Sequence, residues 1–313
     1  MSYYISICIP TYNGGKSLKY NINKLIEIQN RYKFEICVSD NASNDDTQKF
    51  MLEKVYKYSF IKYHRNKENM GIAYNFDYVL KMASGKYRWL LGDDDEIIEN
   101  KLKLIIDKLM QYNPDICIVN SPGYDSRNKF IKNIDSQLFQ DNNEILAKIG
   151  FYMSWMSCYI FLDSAIKNIN IKSITDNAFP HLIGTLKFLE NKCRLYYLNE
   201  ICVKNQMTLK ECRYSNKIIE YFINDWYEVT RKINNYDNEA KNKFIDNTII
   251  NKVTFYQMLA FKKNNIINST VINTIKPYLK YYPNIIKLKI YGAYCFPKTL
   301  LIYMWHLKKK LIK

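Results

Sequence analysis

The sequence predicts an α/β fold, a mostly parallel sheet flanked by helices, with a helical C-terminal region. Three observations carry this reading. Short β-rich runs alternate with helix-spaced apolar segments over the first third of the chain, the pattern of βαβ units. Turn-forming or acidic clusters recur where those runs end, at 10–15, 40–43 and 92–96. In an open α/β sheet that carboxyl edge is where ligands bind. Beyond about residue 213 the strand signal gives way to amphipathic helices.

The elements follow in order. Ile5 to Ile9 reads as a first strand rather than a signal peptide, because no basic flank precedes the apolar run. Leu18 to Ile28 carries helical spacing. Phe34 to Ser39 is a second strand, and Asn44 to Thr47 supplies the oxygens to cap a helix through Phe50 and Val55. A strand at Ile61 to His64 precedes a helix from Ile72 to about Met82, with Gly85 placed to end it. Tyr87 to Leu91 is the fourth strand, followed by a helix near Leu102 to Met110 and a strand at Ile116 to Val119. Positions 120 to 145 lack periodicity and read as an excursion. After the aromatic run Phe151 to Phe161, a helix is expected over Pro180 to Glu190 and a strand over Arg194 to Val203. Amphipathic helices are expected at Ile218 to Ile233 and Phe244 to Phe261. The expected division is a domain over 1–212, in two parts of about 1–120 and 121–212, then a helical basic region over 213–313.

At 313 residues and 48% hydrophobic positions the chain buries a sizeable core. No apolar run approaches the roughly 20 residues that span a bilayer. Eight cysteines without a Cys-x-x-Cys pair argue against a zinc ribbon or redox dithiol. Net charge is +16, yet only seven of the 46 basic residues are arginine, so a nucleic-acid partner is not expected. From Lys276 to Lys313 nine lysines alternate with aromatic residues and no acidic residue intervenes. That composition suits an anionic membrane headgroup zone, or a helix packed on the α/β domain with its lysines in water.

The most informative stretch is Trp89-Leu90-Leu91-Gly92-Asp93-Asp94-Asp95-Glu96. Carboxylates crowded at a strand end repel one another unless a cation shares them. Together with Pro10-Thr11-Tyr12-Asn13, Ser39-Asp40-Asn41-Ala42-Ser43 and Asn69-Met70-Gly71 with Asn75, this run resembles the family 2 glycosyltransferases of the GT-A, Rossmann-like fold. The resemblance covers about residues 1 to 110. Within the family, the Leu91 to Asp95 form is similar to bacterial O-antigen and capsule enzymes of the abequosyltransferase-like type.

The resemblance implies a nucleotide-sugar donor, with Asp93 and Asp95 matching an Asp-x-Asp that holds Mn²⁺ or Mg²⁺. It places Asp40 on the donor base, with Pro10, Thr11, Tyr12, Asn13, Asn69, Gly71, Asn75 and Asp94 lining the nucleotide cleft and Glu96 in support. One departure matters: the Glu-Asp pair carrying the family's general base is absent. The corresponding region offers His181 and Asp176, with Asp163 a more distant candidate. The Gln-x-x-Arg-Trp string of processive synthases is also absent, which favours transfer of a single sugar. Trp155 is expected to pack in the core or to stack on an acceptor sugar.

The expected function is metal-dependent transfer of one sugar from a nucleotide-sugar donor to a saccharide acceptor, lipid-linked, in bacterial surface polysaccharide synthesis. The expected location is cytoplasmic, peripheral on the inner membrane face. The rivals are a nucleotidyltransferase, for which Gly14-Gly15-Lys16 is only a faint phosphate loop, and an inactive membrane- or polysaccharide-binding module.

Overall fold

The structure, a computed structural model, describes residues 3–122, 129–191, 194–205, 217–247, 254–297, 299–301 and 303. The expected boundary near 212, together with Trp305 and the lysines at 298, 308–310 and 313, lies outside them.

Four parallel strands form the first half of the sheet: β1 (Ile5–Thr11), β2 (Glu35–Asp40), β3 (Ile61–Arg65) and β4 (Tyr87–Leu90). Helices α1 (Gly15–Tyr32), α2 (Thr47–Lys57) and α3 (Ile72–Met82) make the crossovers between them. After the short strand β5 (Asp95–Ile97) and α4 (Leu102–Tyr112) come β6 (Ile116–Asn120), β7 (Gln137–Phe139) and α5 (Asn142–Lys148). Then follow β8 (Tyr159–Leu162), α6 (Asp163–Asn168), α7 (Pro180–Leu189), β9 (Leu195–Ile201) and β10 (Val203–Asn205). The main sheet runs β3-β2-β1-β4-β8-β6-β9-β7, and β5 pairs with β10 in a separate two-stranded sheet. β8 and β7 run against their neighbours, so the sheet is mixed but mostly parallel.

Side chains alternate across a strand, and the two faces build two cores. Ile7, Ile9, Trp89, Leu91 and Val119 meet Leu18, Ile22, Leu25, Ile105 and Leu109 on the face of α1 and α4. Cys8, Leu90, Ile116 and Ile118 meet Phe76, Val79, Leu182 and Leu186 on the face of α3 and α7. This second core also takes in Ile219, Ile223, Trp226, Val229 and Phe244, so the helical region shares a core with the sheet. Its helices are Ile218–Glu220, a π-helical turn at Tyr221–Asp225, Trp226–Lys232 and Asn238–Asp246. Phe255–Lys263, Ser269–Leu279 and Asn284–Cys295 follow among the described residues.

Four expectations are corrected. α3 ends at Met82 with Ala83 extended, and Gly85 is no helix cap. A Cβ there would stand 2.8 Å from the Ser6 nitrogen, so Gly85 serves close packing against β1. The acidic run is not wholly a loop, because Asp95 opens β5. The excursion over 120–145 contains β7 and the start of α5, whose N-terminus is capped by Asp141. The single helix expected over Phe244 to Phe261 is interrupted: one helix ends at Asp246 and another begins at Phe255, with 248–253 outside the described residues.

Candidate active site

Carboxyl ends of β1, β2 and β4 come side by side, and a hydrogen-bond network ties their loops together. Asn75 on α3 accepts from Ser39 Oγ at 2.6 Å and donates to the Ser39 and Thr11 carbonyls, stapling β1 to β2. Asn41 is the hub. Its Nδ2 donates to Asn69 Oδ1 at 2.7 Å and the Gly71 carbonyl at 3.3 Å, and its Oδ1 accepts from Asn66 and the Met70 amide. Gly71 sits at φ 84°, where a side chain would strain the turn into α3. Asn13, at φ 54°, donates its amide to Ser43 Oγ and accepts from the Asn44 amide. Pro10 is buried in register with Ser39, whereas Tyr12 is 42% exposed at the rim.

Asp40 is fully buried at the end of β2. One oxygen accepts from the Ser43 amide at 2.8 Å and hydroxyl at 2.5 Å, and the other accepts from Tyr63 at 2.7 Å with Arg65 Nε 3.7 Å away. Arg65 also donates to the Ser43 carbonyl. Burial, and then Asp40 beside it, pushes the Tyr63 phenol well above its ordinary range, so it stays a donor. Tyr63 and Arg65 were not legible as site residues; only the register of β3 against β2 brings them to Asp40.

The acidic run folds so that its three aspartates differ. Asp93 accepts from Thr11 Oγ1 at 2.6 Å, which links β4 to β1. A Cβ on Gly14 would stand 2.9 Å from Asp93 Oδ2 and overlap Thr11 Oγ1, so glycine there is what admits this pair. The adjoining Gly15 amide donates to Asp45 Oδ2 at 3.0 Å. The faint phosphate-loop reading of 14–16 therefore fails, because a carboxylate already occupies that amide.

Asp95 is 1% exposed. Its Oδ2 accepts from Trp155 Nε1 at 3.0 Å and from the Ser157 hydroxyl, and its Oδ1 accepts from Asn205 Nδ2 at 2.7 Å. Asn21 on α1 donates to the Asp95 and Gly92 carbonyls. Burial and then the Asp94 charge push Asp95 up to about 7, against the pull of Ser157, Asn205 and Trp155. Trp155 thus does more than pack, and Ser157, Asn21 and Asn205 are additions that no local sequence signal marks. Glu96 turns to Lys204 at 3.2 Å across the small sheet.

Among the described residues no three His, Cys, Asp or Glu side chains converge to cage a metal. The oxygen chemistry nevertheless fits one. A carboxylate offers about four lone-pair positions, and Asp95 fills three of them with donors. Asp94 beside it is half-buried and accepts no hydrogen bond among the described residues. Two adjacent carboxylates, one already pushed towards neutrality, form a site short of positive charge, and hard oxygen ligands suit a divalent cation.

The expected bases differ in their surroundings. His181 is 3% exposed, packed edge-on against Tyr159 and beside Phe76, with Nε2 3.0 Å from the Ser154 carbonyl. Nε2 is therefore the protonated nitrogen, and Nδ1 is buried without a partner. Burial pulls its pKa down to about 4. The residue expected as a base at the acceptor face is thus an enclosed, neutral imidazole in this structure. It braces the loop that carries Trp155. Asp176 is exposed and ion-paired to Lys232, which keeps its pKa low. Asp163 pairs with Arg88 and Lys167 at the opposite edge of the sheet, where Leu162 is in register with Tyr87 at the start of β4.

Known proteins are similar to this chain in sequence and in fold. The chain is 28% identical over 253 residues to the abequosyltransferase RfbV of Salmonella typhimurium, covering 71% of this chain and 75% of that protein. It is 28% identical over 237 residues to the Escherichia coli UDP-Glc:alpha-D-GlcNAc-diphosphoundecaprenol beta-1,3-glucosyltransferase WfgD, covering 63% and 91%. In fold it matches S. aureus TarS in complex with UDP-GlcNAc, with a TM-score of 0.62 at 20% identity over 92% of this chain and 86% of that one. A mannosyltransferase from Pyrobaculum calidifontis, solved with GDP-Man and Mn²⁺, has a TM-score of 0.54 at 12% identity over 93% and 87%. Residues 6–169 match the profile described as Glycosyl transferase family 2, and the chain is a glycosyltransferase of that family with a GT-A fold.

Proposed function

We propose that the cleft binds a nucleoside-diphosphate sugar and transfers a single sugar to a saccharide acceptor, lipid-linked, in the assembly of a bacterial surface polysaccharide. The observation that carries this is the union of three strand ends, at Thr11, Asp40 and Asp93 to Asp95, in one hydrogen-bonded edge. Asp40, oriented by Ser43 and Tyr63, faces the base. Thr11, Asn13 and Asp93 line the ribose, and Tyr12 covers it from the rim. Asn69, Gly71 and Asn75 fix the backbone that frames this pocket. Asp95 with Asp93, and Asp94 beside them, would hold Mn²⁺ or Mg²⁺, and the cation would supply the Lewis-acid charge that a departing diphosphate needs.

The relatives support the donor and acceptor classes. One is named for a UDP-glucose donor and a diphosphoundecaprenol-linked acceptor, and two neighbours were solved with nucleotide sugars. Trp155, held by Asp95, presents its indole beside the acidic run as a platform for the acceptor. Of the two ionisable candidates in the base region, Asp176 is the one with accessible oxygens; Lys232 must release it before it takes a proton. A lipid-linked acceptor places the enzyme on the cytoplasmic membrane face, with its basic C-terminal region towards anionic lipid.

The test is a nucleotide-release screen over UDP-, GDP-, CDP- and dTDP-sugars with Mn²⁺ or Mg²⁺. One donor should be hydrolysed by the intact protein and spared by Asp95→Ala. Equal release by Asp95→Ala in EDTA would sink the metal assignment, and the absence of donor binding to any of the four would sink the reading.

A further inference from the structure

The helix Asn284–Cys295 is apolar on two opposite sides. Ile286, Ile290 and Ala293 are buried on its inner side. At 3.6 residues per turn, Ile285, Leu288, Gly292 and Cys295 fall on the outer side. Ile285 is 49% exposed, Leu288 is 68% exposed, and Cys295 is an exposed free thiol. Gly292 widens the strip: a Cβ there would stand 3.1 Å from Phe255 Cε2, so the half-exposed Phe255 ring lies against the helix where a side chain is missing. A helix apolar all round is ordinarily enclosed. This one leaves Ile285, Leu288 and Cys295 exposed on its outer side.

Charge identifies what covers the other side. From 247 to 313 the chain has twelve lysines, no arginine and no acidic residue. Lys287 and Lys289 fall on the two flanks of the outer strip. Protein interfaces are enriched in arginine and depleted in lysine, whereas lysine stems lie along apolar surface and lift their ammonium groups to lipid phosphates. At 12 residues the helix is too short to cross a bilayer, and among the described residues no helix is long and apolar enough to do so.

We infer that the helix Asn284–Cys295 lies in the headgroup plane of an anionic bilayer, with Ile285, Leu288 and Phe255 inserted and the flanking lysines at the phosphates. The inference rests on the membrane-linked acceptor proposed above only for its purpose; the face itself is argued from exposure and charge. It assigns docking to this helix as well as to the lysines at the chain's end.

The experiment uses the full chain with Cys193 and Cys212 replaced by Ser and an environment-sensitive fluorophore on Cys295; the cysteines at 8, 37, 117, 158 and 202 are buried. Vesicles of phosphatidylglycerol with phosphatidylcholine should shift the dye to the blue at low salt, and vesicles of phosphatidylcholine alone should not. Leu288→Asp should weaken partitioning about tenfold or more, the scale set by burying one leucine. Leu52→Asp, at a residue 54% exposed on α2, should leave it unchanged. Donor hydrolysis is read in parallel, so its loss with docking intact strikes the glycosyltransferase reading, not this one. Docking is overturned if anionic vesicles are ignored at low salt or if both aspartate variants weaken binding equally. It is also overturned if Leu288→Asp only splits a dimer, which would make a second copy the occupant.

Discussion

At the scale of single residues, the cleft is held by buried polar groups whose partners leave little freedom. His181 is the clearest case for a measurement. Its pKa is about 4 in the folded chain against an ordinary 6.5, a depressed value, so its contribution is present above pH 6.5 and lost as pH falls through 4. The shift corresponds to roughly 3 kcal/mol at most. Asp95 acts oppositely: its raised pKa means that the cation-free fold gains stability as pH falls from about 7. Subtracting the pH–stability curve of His181→Gln from that of the native protein isolates the imidazole. The difference should emerge between pH 6.5 and 4, and a flat difference would show that His181 is not enclosed. Asp95 itself is tested through Ser157, whose hydroxyl donates to Asp95 and accepts from the Gly92 amide at 2.8 Å. Ser157→Ala leaves a buried amide unpaired and should cost about 1–3 kcal/mol, with kcat falling more than donor affinity. A variant as stable and as active as the native chain would remove Ser157 from the site.

At the scale of elements, close approach decides more than propensity. Gly14 stands where any side chain collides with the Thr11–Asp93 pair. Gly14→Ala should therefore lower donor affinity about tenfold, as isothermal titration with a nucleoside diphosphate would report, and should also lower the melting temperature, because the added methyl crowds the buried Leu18 as well as the pair; unchanged affinity would mean that the pair does not shape the pocket. The crossovers around β1 to β4 were legible because each strand is a short apolar run and each helix keeps its stripe, as with Leu18, Ile22 and Leu25 on α1. The site loops were legible for the same reason, since their turn-forming residues fall where those runs stop. What escaped was long-range pairing. Asn205 reaches Asp95 only because β10 pairs with β5, in register from Val203 with Ile97 to Asn205 with Asp95. No local pattern in three-residue strands announces that. Gly85 escaped similarly, because a glycine after a helix reads as a cap until the neighbouring strand is seen. For His181 the sequence shows a residue type suited to catalysis at neutral pH, but not its burial beside Phe76 and Tyr159.

At the scale of the whole molecule, the question is whether the helical region is an appendage or part of the fold. A division near 212 suggests separable units, yet one apolar cluster runs from Cys8 and Leu90 through Leu182 and Leu186 to Trp226, Val229 and Phe244. Trp226 stacks on Phe244 with centroids 4.1 Å apart and meets Phe179 edge-on at 5.6 Å. Phe179 immediately precedes α7, and Tyr236 donates to the Leu186 carbonyl at 2.8 Å from the helical side. Removing the helices would thus bare the face of α7, whose His181 braces the Trp155 loop and through it Asp95. Trp226→Ala should cost about 3–5 kcal/mol. Because the core is shared, the loss should lower a single cooperative transition rather than detach one of two. Calorimetry checks this directly. Two transitions in the native chain, or a fragment of residues 1–212 that melts cooperatively and binds nucleotide as the whole does, would show the helices to be an accessory, and the path from Trp226 to the acidic run would then carry no function.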